Sequence, residues 1–485
     1  MTLRQIYRKF VSVLNTQNIN QQLVQSEYAV RGEVAQKIAE IDSQLKKGQK
    51  FPFSEIIQCN IGNPQALGQS PLTWIRQGLA LLSYPELFSQ AIFPPDIKTR
   101  CKYLLSRVKG GPGAYSESQG LLVVRETVSK YIQQRDNSGE VLTKNIFLSN
   151  GASSSISALL TTCITGPKDG ILTPIPQYPI YNALTTLQNG SSFGYYLDED
   201  NHKWSVSKSE ILKAVEKAKQ AGVKPKVLVI INPGNPTGQV LSRQVMSEIV
   251  EICEQEKMVL LADEVYQDNI YNEGKEFIAF RKVALELKAT VELASFHTIS
   301  KGYFGECGLR GGYVELLNFD NKVKEQINKL FTIMLPSNSL GQLALELALN
   351  PPRPGDASYE LYSKEKGKIL NDLHKKAKMI DQMLNKMKNI DCNDVEGAMY
   401  AFPSIKFSNK AKEVAKSFGM TPEKFYVLRL LEETGVALVP GCGFGQKEGT
   451  HHFRITTLPV NIDEVLSRLQ EFNSKFHETY KDALA

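Results

Sequence analysis

The chain has 485 residues, more than one hydrophobic core serves, so at least two domains are expected. Hydrophobic residues make up 42% and charged residues 22%, ordinary for a soluble globular protein, and no run approaches the roughly 20 apolar residues that span a bilayer. A net charge of +6, with Lys and Glu intermixed, leaves no basic stripe or reading motif of a nucleic-acid binder.

Residues 1–26 carry Arg4, Arg8 and Lys9 with no acid before Glu27, and Ile6, Tyr7, Phe10 and Val11 can share an apolar face. That composition suits a short mitochondrial transit peptide or a surface arm. The basic segment is short, which favours the arm and a cytoplasmic location over the mitochondrial matrix. The region up to about residue 109 lacks alternating strands and helices, so 1–109 is grouped with the C-terminal part in a smaller domain.

From 110 to 354, short β-branched runs alternate with helical segments, the pattern of βαβ units and a mostly parallel sheet. Phe147-Leu148 reads as a strand end, and Ile156, Leu159 and Leu160 begin a helix. Between them, Ser149-Asn150-Gly151-Ala152-Ser153-Ser154 either presents backbone N–H groups to an anion or simply caps the helix. Val227-Leu228-Val229-Ile230-Ile231 is the apolar run of a strand buried on both faces. Asn232-Pro233-Gly234-Asn235-Pro236-Thr237-Gly238 ends it, and Val245, Ile249, Ile252 and Cys253 then recur at helical spacing. A strand over 258–262 ends at Asp263, and one over 291–296 leads into Thr298-Ile299-Ser300-Lys301-Gly302. Pro351-Pro352-Arg353-Pro354-Gly355 reads as an interdomain joint. An amphipathic stretch over about 358–388 and an α+β region follow, in a domain spanning 355–485.

Four of these strand ends carry polar residues or glycine. On one sheet they would converge at its carboxyl edge, where open α/β sheets bind ligands. Asp263 follows apolar Leu261 and Ala262, and burying its carboxylate without a cation would cost several kcal/mol. Lys301 read alone is a solvated charge. Beside cations, with Arg310 in Gly308-Leu309-Arg310-Gly311-Gly312 as a candidate, a desolvated amine becomes a nucleophile toward carbonyls. Seven cysteines without a C-x-x-C pair point to a reducing compartment, and six histidines without ligand spacing argue against a metal site. Gly441-Cys442-Gly443-Phe444-Gly445 lacks the glycine spacing of a dinucleotide site.

The turn at 232–238, then Asp263-Glu264-Val265-Tyr266, then Ser300-Lys301-Gly302 with a downstream arginine, resembles the ordered signature of fold-type-I aminotransferases. Six further segments resemble the alanine aminotransferases among them. They are Tyr28-Ala29-Val30-Arg31-Gly32, Asn60-Ile61-Gly62-Asn63-Pro64, Gly113-Ala114-Tyr115-Ser116, Pro174-Ile175-Pro176-Gln177-Tyr178-Pro179, Gly305-Glu306-Cys307-Gly308, and 441–446. The likeness runs from about Leu14 to the C-terminus.

The resemblance implies an aspartate-aminotransferase-like α/β fold. A seven-stranded, mostly parallel sheet flanked by helices is joined by a smaller α+β domain built from the N- and C-terminal segments. It implies pyridoxal 5'-phosphate, a homodimer with shared active sites, and a ping-pong exchange of L-alanine and 2-oxoglutarate for pyruvate and L-glutamate. By the same resemblance, Lys301 holds the cofactor as a Schiff base and shuttles the substrate Cα proton, and Asp263 pairs with the pyridinium nitrogen. Tyr266 and Asn235 bond the cofactor's phenolic oxygen, and Tyr178 stacks on the ring. Ala152, Ser153, Thr298, Ser300 and Arg310 hold the phosphate, which Tyr115 reaches from the neighbouring subunit. Arg454 clamps the substrate carboxylate, aided by Asn235, and Gly62 lets the backbone approach the substrate. Glutamate:glyoxylate transfer or another reaction on the same cofactor is the alternative, and a C-terminus without a peroxisomal tripeptide counts against the glyoxylate version. A non-catalytic regulator would need room for a DNA-binding domain.

Overall fold

The computed structural model describes residues 13–28, 32–199 and 204–482. The basic start of the N-terminal arm and Ala29-Val30-Arg31 lie outside the described residues.

After β1 (Ile57–Gln58), the chain builds its main sheet from seven strands. They are β2 (Ile146–Asn150), β3 (Asp169–Ile175), β4 (Ser191–Tyr196), β5 (Lys224–Ile231), β6 (Val259–Asp263), β7 (Leu293–Thr298) and β8 (Gly311–Leu317). Their order is β2-β8-β7-β6-β5-β3-β4, and β8 alone runs against the rest. This is the mostly parallel, seven-stranded sheet that the family resemblance implies.

The apolar run of β5 explains itself by two-sided burial. Val227, Val229 and Ile231 pack into one core, while Leu228 and Ile230 pack into another. Alternate side chains thus meet helices on opposite faces, and water reaches neither. Helix Arg243–Glu256 begins with the Ser242 hydroxyl accepting from Val245 N–H and buries Met246, Ile249, Val250, Ile252 and Cys253. The strand predicted over 291–296 forms two residues later, because β7 takes its register from β8, with Leu293 opposite Leu317 and Thr298 opposite Gly312.

Register decides the site. Asp263 lies opposite Ile231 of β5 and Phe296 of β7, so the ends of three adjacent parallel strands stand side by side. β2 brings Gly151 to the same edge through β8.

Helices Thr73–Ser83 and Pro95–Arg107 pack on each other, and the first also packs on Ser339–Leu349, which rests against β8. Trp74, Ile75, Ile97 and Leu104 share a core with Val124, Leu148 and Leu343. This differs from the grouping of 1–109 with the C-terminal part, since two of its helices spend their apolar faces on the main sheet's layer. β1 does join the C-terminal region, pairing in parallel with β12 (Val436–Ala437). There β9 (Ile390–Asp391) pairs with β11 (Ser404–Ile405), and β14 (Phe453–Thr456) lies between β10 (Tyr400–Ala401) and β13 (Val439–Pro440). The amphipathic stretch is helix Tyr359–Leu384, packed on helix Ile462–Thr479. Among the described residues no helix is long and apolar enough to cross a membrane.

Candidate active site

Asp263 is 4% exposed at the end of β6. Tyr181, on helix Ile180–Leu187, donates to its Oδ2 at 2.8 Å. Oδ1 has no partner among the described residues. Burial lifts the carboxyl to about 6, against the opposing pull of Tyr181, the Val265 N–H and the Lys301 charge. One bare oxygen on a buried carboxylate is an acceptor waiting for a donor.

Lys301 follows β7 through a tight turn in which Thr298 Oγ1 accepts from Ser300 N–H at 3.2 Å. Its Nζ donates to Gly62 O at 2.6 Å and lies 5.9 Å from the centre of the Tyr266 ring. A Cβ on Gly62 would strike Tyr400 Oη and come within 3.0 Å of Lys301 Nζ, so only glycine lets this carbonyl reach the amine. Tyr266 Oη accepts from Asn235 Nδ2 at 3.5 Å and donates to Tyr400 Oη at 3.4 Å.

The turn after β2 forms the second pole. Gly151, with φ of 72°, opens helix Ala152–Cys163, where Ala152 is buried and Ser153 exposed. Arg310 donates to Asn150 O and Cys307 O, each at 2.9 Å, and a Cβ on Gly151 would meet its guanidinium at 2.5 Å. The sequence suggests Arg310 as a cationic neighbour of Lys301. Its backbone is left-handed, φ 58°, and its guanidinium lies at this helix start. Ser149 and Thr298 both lie opposite Gly312, and the Thr298 and Ser300 hydroxyls are 3.0 Å apart. Free N–H groups, hydroxyls and a guanidinium together suit a phosphate.

Arg454 of β14 is 2% exposed, donating to Asn235 Oδ1 at 3.0 Å and to Asn60 O at 2.7 Å. Its Nε has no partner among the described residues, and its guanidinium lies 4.1 Å from the Tyr400 ring centre and 4.7 Å from that of Phe444. Asn235 thereby links Arg454 to Tyr266. Tyr178 meets Tyr28 through their hydroxyls at 2.6 Å. Tyr115 is 80% exposed and stands outside this group.

Three participants escape the sequence reading. Tyr181 lies three positions past Tyr178, on the helix that starts at Ile180, and no motif marks it. Tyr400 carries no local signal beyond lying near Gly397, and Asn60 stands in the resembling segment Asn60-Ile61-Gly62-Asn63-Pro64 without a role assigned to it.

Comparison with known proteins identifies the family. The family described as aminotransferase class I and II matches residues 89–469. Alanine aminotransferase 2 of Xenopus tropicalis is 44% identical over 478 residues, covering 96% of this chain and 91% of that protein. A Dictyostelium discoideum protein named "Probable alanine aminotransferase, mitochondrial" is 45% identical over 479 residues, covering 96% and 89%. The solved alanine aminotransferase from Pyrococcus furiosus superposes with a TM-score of 0.75 at 24% identity, covering 94% of this chain and 99% of that one, which speaks to the fold alone. The chain belongs to the class I and II aminotransferase family.

Proposed function

We propose that this transaminase exchanges L-alanine and 2-oxoglutarate for pyruvate and L-glutamate, using pyridoxal 5'-phosphate. The observation that carries the reading is the bare Oδ1 of buried Asp263 one strand away from the Lys301 amine. The relatives' names supply the substrates. When bound, the cofactor supplies an electron sink for the bonding electrons at the substrate Cα.

The chain's own groups do the rest. Asp263, through its unpartnered Oδ1, would accept from the ring nitrogen and keep it protonated. Tyr266 and Asn235 would bond the phenolic oxygen, and Tyr178 would cover the ring. Ala152, Ser153, Thr298, Ser300 and Arg310 would hold the phosphate. Arg454, oriented by Asn235 and Asn60, receives the substrate carboxylate, and Lys301 moves the proton at Cα. Tyr115, exposed on one copy, serves the phosphate site of a second, so the working enzyme is a homodimer. The compartment is read as cytoplasmic. The Dictyostelium relative's name and the basic residues of 1–26 keep the mitochondrial matrix as the second reading, and fractionation of cells carrying the tagged full chain decides between them.

The test is a panel of amino donors and oxo-acid acceptors, with pyruvate release read by a coupled assay. Alanine with 2-oxoglutarate should lead the panel. Glutamate with glyoxylate outrunning it would overturn the substrate assignment.

A further inference from the structure

Tyr400 stands where three groups of the proposed site meet, and no motif marks it. It is 3% exposed, lies under the Arg454 guanidinium at 4.1 Å, and accepts from Tyr266 Oη at 3.4 Å. Its Oη and Lys301 Nζ border one small space that Gly62 leaves open, since a Cβ there would strike the phenol and come within 3.0 Å of the amine. Cys307, whose thiol donates to Ser300 O at 3.1 Å, and Tyr178 complete the titratable groups facing it. Burial raises the phenol's proton affinity. The Lys301 and Arg454 cations and the Tyr266 hydrogen bond outweigh that and hold Tyr400 below the ordinary tyrosine range, while Tyr266 stays above it, chiefly through burial.

Resting on the transaminase reading, we propose that Tyr400 is a positioning residue that couples carboxylate capture at Arg454 to the protonation of the Lys301 amine. Whenever that amine is free and the substrate site is empty, the guanidinium and the ammonium together shift Tyr400 toward its phenolate form. A substrate carboxylate on Arg454 cancels the guanidinium's field at the ring. The phenolate then takes a proton from the ammonium: one N–H bond breaks, one O–H bond forms, and nothing is oxidised or reduced. What remains is a neutral amine, the form that accepts a proton from carbon. Product departure restores the cation and reverses the transfer. The substrate's own charge thus readies its base.

The experiment is carbon-13 NMR of the full chain labelled at tyrosine Cζ and loaded with pyridoxamine 5'-phosphate, which leaves Lys301 free. It is titrated with and without propionate, a carboxylate with nothing to transfer. One tyrosine, missing from Tyr400→Phe, should titrate below the others, and saturating propionate should raise its midpoint by about one pH unit. Lys301→Ala should raise it without propionate, which also identifies the resonance if Tyr400→Phe does not fold. Tyr400→Phe keeps the ring under Arg454 and should lower kcat about 10- to 100-fold, with KM for alanine within about threefold and an altered pH profile. A Tyr400 resonance indifferent to propionate, or a kcat within about twofold of the parent, overturns the coupling. An active Lys301→Ala enzyme would instead undo the transaminase reading; an inactive one with an unmoved Tyr400 resonance removes only this inference.

Discussion

Asp263 and Glu264 are neighbours in the chain, 4% and 1% exposed, and they face different surroundings. Asp263 meets Tyr181 and the Lys301 charge, and its carboxyl rises to about 6. Glu264 accepts from Phe280 N–H at 2.7 Å beside Arg135, within a network that includes Asp136, Arg281 and Glu315, and burial lifts it to about 8. Burial therefore does not distinguish a reactive carboxylate from a structural one. A bare polar atom alone does not either, since among the described residues Glu315 Oε2 and both His297 nitrogens lack partners too. What separates Asp263 is spare bonding capacity at the strand edge where Lys301, Arg454 and the Gly151 turn gather.

The comparison can be broken on the reactive side first. Lys301→Ala should cut turnover by at least about 1,000-fold while the protein still folds, because it removes both the anchoring amine and the proton carrier. Steady-state assay with a thermal melt reads both, and a variant keeping a tenth of the activity would break the contrast. Asp263→Asn should cost about 100- to 1,000-fold in kcat, since an amide cannot keep a ring nitrogen charged. Glu264→Gln sharpens the point: kcat should stay within about threefold while stability falls by about 1–3 kcal/mol in urea unfolding. Equal kinetic losses in the two variants would erase the distinction. Arg454→Lys should lower kcat/KM for alanine about 10- to 100-fold, because an ammonium cannot reproduce the planar fork.

The smallest effect is on pH. Glu264 and Glu315 rise from 4.5 to about 8 and about 7 on folding. The folded state thus keeps protons that the unfolded chain releases, and ν_N exceeds ν_U across that window. Their stabilising contribution is complete below the unfolded value of 4.5 and is lost as pH climbs toward about 8. Unfolding free energies from pH 5 to 8.5 should show a downward slope that Glu264→Gln makes shallower; an unchanged slope would mean that Glu264 stays ionised when folded.

Much of the fold was legible because the relevant forces act locally. The apolar run of β5 announces two-sided burial, and the prolines and glycines of 232–238 forbid its continuation. The motif residues Asp263, Tyr266, Asn235, Lys301 and Arg454 were legible for a different reason, since their ordered segments resemble a family. The packing of helices Thr73–Ser83 and Pro95–Arg107 on the main sheet's layer was not legible, because an amphipathic face declares that it will be covered, but not by which layer.

The sequence by itself determined strand order of appearance, turn positions and the residue types at the carboxyl edge, since side-chain sterics and apolar periodicity need only near neighbours. Only the tertiary structure decided which polar groups meet. Tyr181 reaches Asp263 across 82 positions, Tyr400 reaches Tyr266 across 134, and Asn60 reaches Arg454 across 394. Such pairs form when closing the core leaves a buried donor or acceptor that must find a partner. No local propensity names that partner; the packing of elements far apart in the chain does.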